Sequence, residues 1–231
     1  MEVSDLRLEL GDCAQFICPP RSGKTFYIYH LLREKNRFIQ SGEQVQNVCF
    51  WYRKWQPIYS RMKSEGLVNQ WFQGFPTAED FDNIVSPYRF TGGSICIMDD
   101  CLDVYDSGDL RDIVSTLARH NQACVFLLMQ SLFSDNVRAR QTSRNIKQIF
   151  LFQCPRDKMQ FSYLAREMYP GNTKWLIDAY AHVTRKQYRC LIMDFRPECP
   201  EYCRIRSNAL SHERPMKSYV PVEMSIPAVN K

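Results

Sequence analysis

The feature that most constrains this chain is a Gly-Lys-Thr sequence at positions 23–25, placed between an apolar run and a helical pattern. The apolar run 14–18 predicts a short strand, and apolar residues at 26, 29 and 32 predict a helix that begins just after the motif. A strand, a loop that ends in Gly-Lys-Thr and a helix, in this order, are typical of a phosphate-binding loop. The sequence therefore predicts a nucleotide site close to the N-terminus.

Each residue of this loop suits a specific task. Lys24 would reach the β- and γ-phosphates of ATP, the Thr25 hydroxyl would bind Mg²⁺, and Gly23 would allow the tight turn into the helix. Backbone N–H groups at the start of the helix would face the phosphate oxygens. The residues predicted to contact the nucleotide are Pro20, Arg21, Ser22, Gly23, Lys24, Thr25 and Phe26.

The loop departs from the usual pattern at its beginning. Cys18 stands where such loops have glycine, and Pro19 and Pro20 have no N–H group to donate. The phosphate cradle is therefore predicted to depend on donors from Ser22 onward.

A second strand that ends in carboxylates is predicted about 75 residues downstream, at 94–98. Asp99 at its end would hold Mg²⁺, directly or through water, and Asp100 would orient and activate the attacking water. The next predicted strand, 123–129, is followed by Gln130, which would either contact the γ-phosphate or the water, or simply end the strand.

Short apolar runs alternate with helical patterns along most of the chain. Strands are predicted at 14–18, 45–52, 94–98, 123–129, 149–152 and 189–194, and helices at 26–40, 109–120 and 157–169. This alternation predicts an α/β fold of the P-loop NTPase type, with a mostly parallel central sheet flanked by helices. Residues 1–210 are assigned to this domain, and residues 211–231, which contain three prolines, to an extended C-terminal arm.

Composition restricts the remaining classes of protein. The 231 residues are 45% hydrophobic, enough for a core, and the net charge of +5 permits a polyanionic partner without requiring one. Most of the ten cysteines lie in apolar runs, as expected for reduced, buried thiols, and Cys199 and Cys203 lack the partners of a zinc site. With neither a signal-peptide pattern nor a membrane-length apolar run, the chain is expected to be soluble and intracellular.

Several blocks together resemble the viral genome-packaging ATPases of the FtsK–HerA superfamily, in the poxvirus-type branch that Polinton elements, adintoviruses and virophages also carry. The resemblance covers most of the chain, and its later blocks are more specific than the phosphate loop. The blocks are 18–25, 50–59, 97–100, 119–121, 129–133, 154–158, 165–170, 191–194 and 204–208.

The resemblance implies an ATP-driven motor that translocates double-stranded DNA into a preformed capsid. It implies a RecA-like fold, ATP and Mg²⁺ as cofactors, a homo-oligomeric ring of five or six subunits, and capsid portal or vertex proteins as partners, without membrane insertion. The place of action would be sites of virion assembly in the host cytoplasm or nucleus. The nucleotide and catalytic residues that carry over are Lys24, Thr25, Asp99, Asp100 and Gln130.

An arginine is also expected to stabilise the transferring phosphoryl group, across a subunit boundary or within one chain. The residues alone leave Arg119, Arg138, Arg140 and Arg144 as candidates. The resemblance aligns Arg119 and Arg140 with arginines of the family and does not choose between them. Three departures from the family pattern concern turnover more than fold: Cys18 replaces Gly, Asp100 stands at a position often occupied by Glu, and Ser131 replaces Asn.

Two other functions stay open at this point. A nucleotide or small-molecule kinase can use the same loop, and a nucleotide-binding assembly factor without turnover would explain Cys18 and the two prolines. DNA contact is expected at one of two basic stretches, unless these are solvated surface. The first comprises Arg138, Arg140, Arg144 and Lys147, and the second Arg185, Lys186 and Arg189.

Overall fold

A mostly parallel sheet of nine strands, flanked by helices, forms the centre of the part of the chain that the structure describes. A computed structural model describes residues 6–20, 22–40, 45–101, 104–105, 107–132 and 142–221. Its strands are β1 (Leu8–Glu9), β2 (Cys13–Ile17), β3 (Ile39–Gln40), β4 (Asn47–Tyr52), β5 (Gln70–Gln73), β6 (Ser94–Asp99), β7 (Ala123–Met129), β8 (Ile146–Leu151), β9 (Leu191–Asp194), β10 (Ile205–Ser207) and β11 (Lys217–Tyr219).

The order across this sheet is β11-β10-β9-β8-β2-β7-β6-β4-β5. The six strands from β8 to β5 are parallel, whereas β9, β10 and β11 add to β8 in antiparallel fashion. Strands β1 and β3 pair in a separate two-stranded sheet. The strand β7 lies between β2 and β6, so the ends of these three strands are neighbours.

Helices cover both faces of the sheet. They are α1 (Lys24–Arg33), α2 (Lys35–Phe38), α3 (Pro57–Ser64), α4 (Ala78–Val85), α5 (Gly108–Asp112), α6 (Ala118–His120), α7 (Lys158–Met168) and α8 (Thr173–Thr184). A π-helical turn, Ile113–Leu117, joins α5 to α6. Short 3₁₀ turns occupy Ser86–Tyr88, Glu201–Cys203 and Ser211–Glu213.

Alternate residues of the central strands supply two separate cores. In β7, Phe126 and Leu128 pack with α1 and α3 on one face, whereas Leu127 and Met129 pack with the helices α4 to α8 on the other. All seven residues of β7 are buried. This double coverage explains why the central strands are nearly continuous apolar runs in the sequence.

The predicted α/β class and the mostly parallel sheet are confirmed, and all six predicted strands exist within a few residues. The prediction of one helix over 26–40 was wrong. Helix α1 ends at Arg33, α2 follows, and β3 begins at Ile39. Glu34 at the break accepts the backbone N–H of Ser211 at 3.1 Å, which ties this turn to the chain's C-terminal part.

The predicted helices 109–120 and 157–169 are present with small shifts of their ends. Helices α3, α4 and α8 and the strands β5, β10 and β11 were not predicted. Most of these elements are short and half-exposed, so their apolar patterns are weak.

Residues 211–221, the described part of the predicted arm, are packed onto the domain. The strand β11 pairs with β10 and is the outermost strand on that side of the sheet. Glu213 is buried and forms an ion pair with Arg189 at 3.3 Å. This part of the chain therefore completes the fold.

All ten cysteines are buried and unpaired. Those in β2, β4, β6 and β7 occupy core positions between larger apolar side chains. Within the described residues, no helix has both the length and the apolar character needed to cross a membrane.

Candidate functional site

A cavity of about 650 Å³ opens at the edge of the sheet where the parallel strands end, called here the carboxyl edge. The loop after β2 forms one wall, and the residues that follow β6 and β7 form another. Because β7 lies between β2 and β6, the sheet brings together residues that are more than 100 positions apart in the sequence. The lining includes Lys24, Thr25, Asp99, Asp100, Gln130 and Tyr188.

The start of α1 lies at this cavity. Gly23 precedes the helix at φ +93°, and the first hydrogen bond inside the helix runs from the N–H of Tyr27 to Gly23 at 2.8 Å. The N–H groups of residues 23–26 therefore have no partner within the helix. Its first turn contains no acidic residue. The helix dipole and these donors favour an anion at this position.

Gly23 is required for two separate reasons. Its positive φ is costly for residues with a side chain, and a Cβ atom there would collide with the ring of Tyr188. Tyr188 precedes β9 and reaches the loop from a distant part of the sequence. The residue predicted to allow the tight turn, Gly23, is thus also in close contact with the segment that contains Tyr188.

Ser22 lines the cavity and is bonded within the loop. Its N–H and its hydroxyl both donate to the carbonyl oxygen of Pro19, at 3.3 and 2.8 Å. Ser22 thus closes the loop on itself. Pro20 is exposed at the rim of the cavity, and Arg21 lies outside the described residues.

Cys18 belongs to the core more than to the loop surface. Only 1% of its surface is exposed, and burial raises the pKa of its thiol to about 11. Cys18 is therefore protonated at neutral pH and behaves as a small apolar residue. Its N–H donates to the carbonyl of Met129 at 3.1 Å, so it extends the pairing of β2 with β7.

Asp99 is the centre of the polar contacts in the cavity. Lys24 Nζ lies 3.4 Å from Asp99 Oδ1, and Thr25 Oγ1 donates to Asp99 Oδ2 at 3.2 Å. The hydroxyl of Tyr59 donates to the same Oδ2 at 2.6 Å. Burial and the charge of Asp99 raise the pKa of Tyr59, so the phenol stays a donor. The site is thus a buried carboxylate held by one ammonium and two hydroxyls.

Asp100 occupies a different environment from its neighbour. Its backbone is left-handed, with φ +65°, a conformation that aspartate tolerates better than most residues and that ends β6 sharply. Gln130 Nε2 donates to Asp100 Oδ1 at 2.7 Å, and Arg53 Nε donates to the Asp100 carbonyl oxygen at 3.1 Å. Asp100 is partly exposed and faces the open cavity.

The residues present fit a magnesium ion better than a transition metal. Thr25 and Asp99 offer hydroxyl and carboxylate oxygens at hydrogen-bond distance from each other, the hard ligands that Mg²⁺ prefers. In the described ranges no group of three or more His, Cys, Asp or Glu residues could hold a metal by itself. Magnesium typically binds through one or two protein ligands together with phosphates, so this donor set suits it.

The structure does not bring Arg119 to the cavity. Arg119 is exposed in α6, and a Cβ added at Gly11, just before β2, would lie 3.1 Å from its Cα. It therefore lies at the opposite edge of the sheet, separated from Asp100 and Gln130 by the length of β7, roughly 20 Å. Arg119 does not reach its own chain's cavity. Arg140 lies outside the described residues.

Three residues of the site were missed by the sequence analysis: Arg53, Tyr59 and Tyr188. Arg53 and Tyr59 fall inside the aromatic block 50–59, which carried part of the resemblance, so a signal was available without an assigned role. No pattern near Tyr188 indicates its contact with Gly23. Phe26, a predicted nucleotide contact, is 41% exposed at the cavity wall.

Comparison with protein-family models gives no match for this chain, and comparison with curated proteins gives none either.

Proposed function

We propose that this chain is a magnesium-dependent ATPase of the P-loop NTPase type. The observation that carries the proposal is the convergence of Lys24 and Thr25, at the start of α1, on the Asp99 carboxylate, at 3.4 and 3.2 Å. A lysine, a hydroxyl and a carboxylate next to the backbone N–H groups of a helix N-terminus are the groups that a magnesium–triphosphate needs. The strand order supports this fold type, because β7 places Gln130 between the loop strand and the acidic strand.

The groups around the cavity divide the work of binding. Lys24 would exchange Asp99 for the β- and γ-phosphate oxygens, and the N–H groups from Gly23 onward would hold the phosphates. Thr25 and Asp99 would hold the magnesium ion. Bound Mg²⁺ supplies charge neutralisation on the β- and γ-phosphates.

Hydrolysis, as opposed to binding alone, is supported by Asp100. It is partly exposed to the cavity, and its amide partner Gln130 fixes one carboxylate oxygen and leaves the other for a water molecule. A carboxylate so placed can accept a proton from an attacking water. An assembly factor without turnover would have no need for this second carboxylate.

The wider proposal is that hydrolysis drives double-stranded DNA into a preformed capsid, and that a homo-oligomeric ring performs this work. It is based on the sequence resemblance, above all on the blocks after residue 150. Arg144, Arg185 and Lys186 are exposed basic residues of the two stretches considered for DNA, whereas Arg189 is engaged with Asn208 and Glu213. An arginine that acts from a neighbouring subunit would suit Arg119, which is exposed at the opposite edge.

The first test measures ATP hydrolysis with and without Mg²⁺. We expect Lys24→Ala to lower the rate at least about 100-fold, as removal of one group that stabilises charge in the transition state commonly does. Lys63→Ala is the matched control, because Lys63 is an exposed lysine on α3. Equal rates for both variants, or no magnesium dependence, would contradict the proposal.

The DNA hypothesis needs a separate measurement. Hydrolysis would be followed with and without duplex DNA, in a preparation shown by electron microscopy to be oligomeric with an ATP analogue. We expect stimulation by duplex DNA that weakens as salt is raised, because phosphate contacts dominate non-specific binding. An oligomeric, ATP-hydrolysing preparation that does not respond to DNA would refute the motor function and leave the ATPase proposal intact.

A further inference from the structure

Two exposed aromatic side chains stand beside the phosphate loop. Among the described residues, seven large hydrophobic side chains are more than a third exposed, and two of them, Phe26 and Tyr188, line the 650 Å³ cavity. Their ring centroids lie 6.2 Å apart with a 48° tilt. Tyr188 is 46% exposed although it also contacts Gly23. Both side chains are thus partly exposed next to the predicted phosphate position.

A second cavity of about 210 Å³ begins behind these rings and shares Gly23, Phe26 and Tyr188 with the first. At about 30 Å³ per water molecule this space corresponds to roughly seven waters, room enough for a planar heterocycle. His212 and Glu213 also line it. The two cavities therefore adjoin at Phe26 and Tyr188.

The segment that presents Tyr188 is held firmly. Tyr188 adopts φ +67°, an unusual conformation for an aromatic residue, and such residues cluster at ligand sites. The following residue, Arg189, is fixed by Asn208 at 3.2 Å and by Glu213 at 3.3 Å. Phe26 is supported from the other side by His30, whose ring packs edge-on at 4.5 Å. Both rings are thus positioned by neighbours.

We propose that Phe26 and Tyr188 bind the base of the nucleotide whose phosphates lie on the loop, with the base stacked against the Tyr188 ring. This inference depends on the proposed nucleotide site. One sugar ring separates the base from the phosphates, so a nucleotide anchored at Gly23–Thr25 places its base at the rim where these rings stand. Stacking accepts any base, because every base presents a π-face.

The test compares two ligands that share the phosphates and differ in the base: magnesium–ATP and magnesium–tripolyphosphate. Binding would be measured by calorimetry on the full chain. We expect Tyr188→Ala to weaken ATP binding by about five- to 150-fold, the usual effect of removing one stacking ring, and to change tripolyphosphate binding less than twofold. Tyr188→Phe should bind ATP like the wild type, because the ring and not the hydroxyl carries the contact.

Tyr163→Ala is the matched control, since Tyr163 is 59% exposed on α7 and does not line the cavity. Phe26→Ala gives an independent measurement should Tyr188→Ala fail to fold. Equal effects of Tyr188→Ala on both ligands, no effect on ATP, or tighter binding of both would overturn the base site alone. A wild-type chain that binds neither ligand would overturn the nucleotide site itself, and the base site with it.

Discussion

The two edges of the central sheet each contain a buried aspartate, and the two are held in opposite ways. At the carboxyl edge, Asp99 is held by one lysine and two hydroxyls, all beside an open cavity. At the amino edge, where the parallel strands begin, Asp194 is held by Arg196 at 2.8 Å, Arg206 at 2.6 Å and Gln148 at 3.0 Å.

The two aspartates differ in whether the side chains bonded to them can be exchanged for a ligand. Burial opposes ionisation of Asp194, but the bonds and charges of Arg196 and Arg206 outweigh it and lower its pKa. Both arginines are themselves more than nine-tenths buried, so this cluster is enclosed within the fold and is structural. In the proposed function, a nucleotide and a metal ion replace the partners of Asp99. The same residue type would then stabilise the fold at one edge and prepare a site at the other.

The largest effect is expected from Asp100→Asn, which tests whether the Asp100 side chain at the carboxyl edge takes part in catalysis. The variant keeps a hydrogen-bond acceptor for Gln130 but removes the base. ATP hydrolysis should fall by about 10²–10⁴-fold, the usual contribution of a general base, while ATP affinity stays within about twofold. Single-turnover hydrolysis and calorimetry measure the two quantities. Loss of ATP binding together with hydrolysis would show that Asp100 is misassigned.

Asp194→Asn tests the structural edge. It removes the carboxylate that pairs with the buried Arg206 and Arg196, of which Arg196 keeps its ion pair with Glu9, and breaking a buried ion pair costs about 3–5 kcal/mol. Urea unfolding should show this loss, whereas ATP affinity of the folded protein should not change. Asp178→Asn, at an exposed position on α8, is the control. A loss below about 1 kcal/mol would mean that the arginines find other partners and that the comparison of the edges fails.

Tyr59→Phe sharpens the comparison, because it removes one partner of Asp99 and no charge. Groups that orient a metal ligand typically change metal affinity by about 10–100-fold when they are lost. The Mg²⁺ concentration for half-maximal hydrolysis should rise accordingly. Tyr29→Phe is the control, since the Tyr29 hydroxyl bonds Glu65 at 2.8 Å away from the cavity. An equal magnesium requirement in Tyr59→Phe and wild type would show that the Tyr59 hydroxyl does not orient Asp99 for the metal and that Tyr59 contributes only packing.

The smallest effect is a pH dependence at the amino edge. Burial raises the pKa of Asp12 from its ordinary value of 3.8 to about 6. Between these values the folded chain holds a proton that the unfolded chain releases, so Asp12 makes stability fall as pH rises from about 4 to about 6. Asp12→Asn should flatten this part of the profile in thermal unfolding. A slope identical to the wild type would show that Asp12 ionises normally in the folded protein.

The sequence predicted the parts of the site that follow strand ends. The apolar run before Cys18, the strand before Asp99 and the strand before Gln130 are strong local patterns, and parallel strands must end at one edge. The sequence could not predict where the arginine candidates lie relative to the cavity. Neither spacing nor charge shows that Arg119 lies at the start of β7 and far from Asp100. The bond from the Ser22 N–H to the Pro19 carbonyl was likewise not visible in the sequence, and the predicted contact of Ser22 with phosphate stays a prediction.

The sequence by itself determined the α/β class, the buried strands and the position of the Gly-Lys-Thr turn between a strand and a helix, because burial on both faces and turn residues can be recognised from residue type and spacing. Tertiary structure alone decided the strand order that joins β2, β7 and β6 and the antiparallel addition of β9 to β11. It also decided the arrival of Tyr59 on Asp99 and of Tyr188 on Gly23. These contacts join segments 40 to 165 residues apart, and their geometry depends on packing that no local pattern encodes.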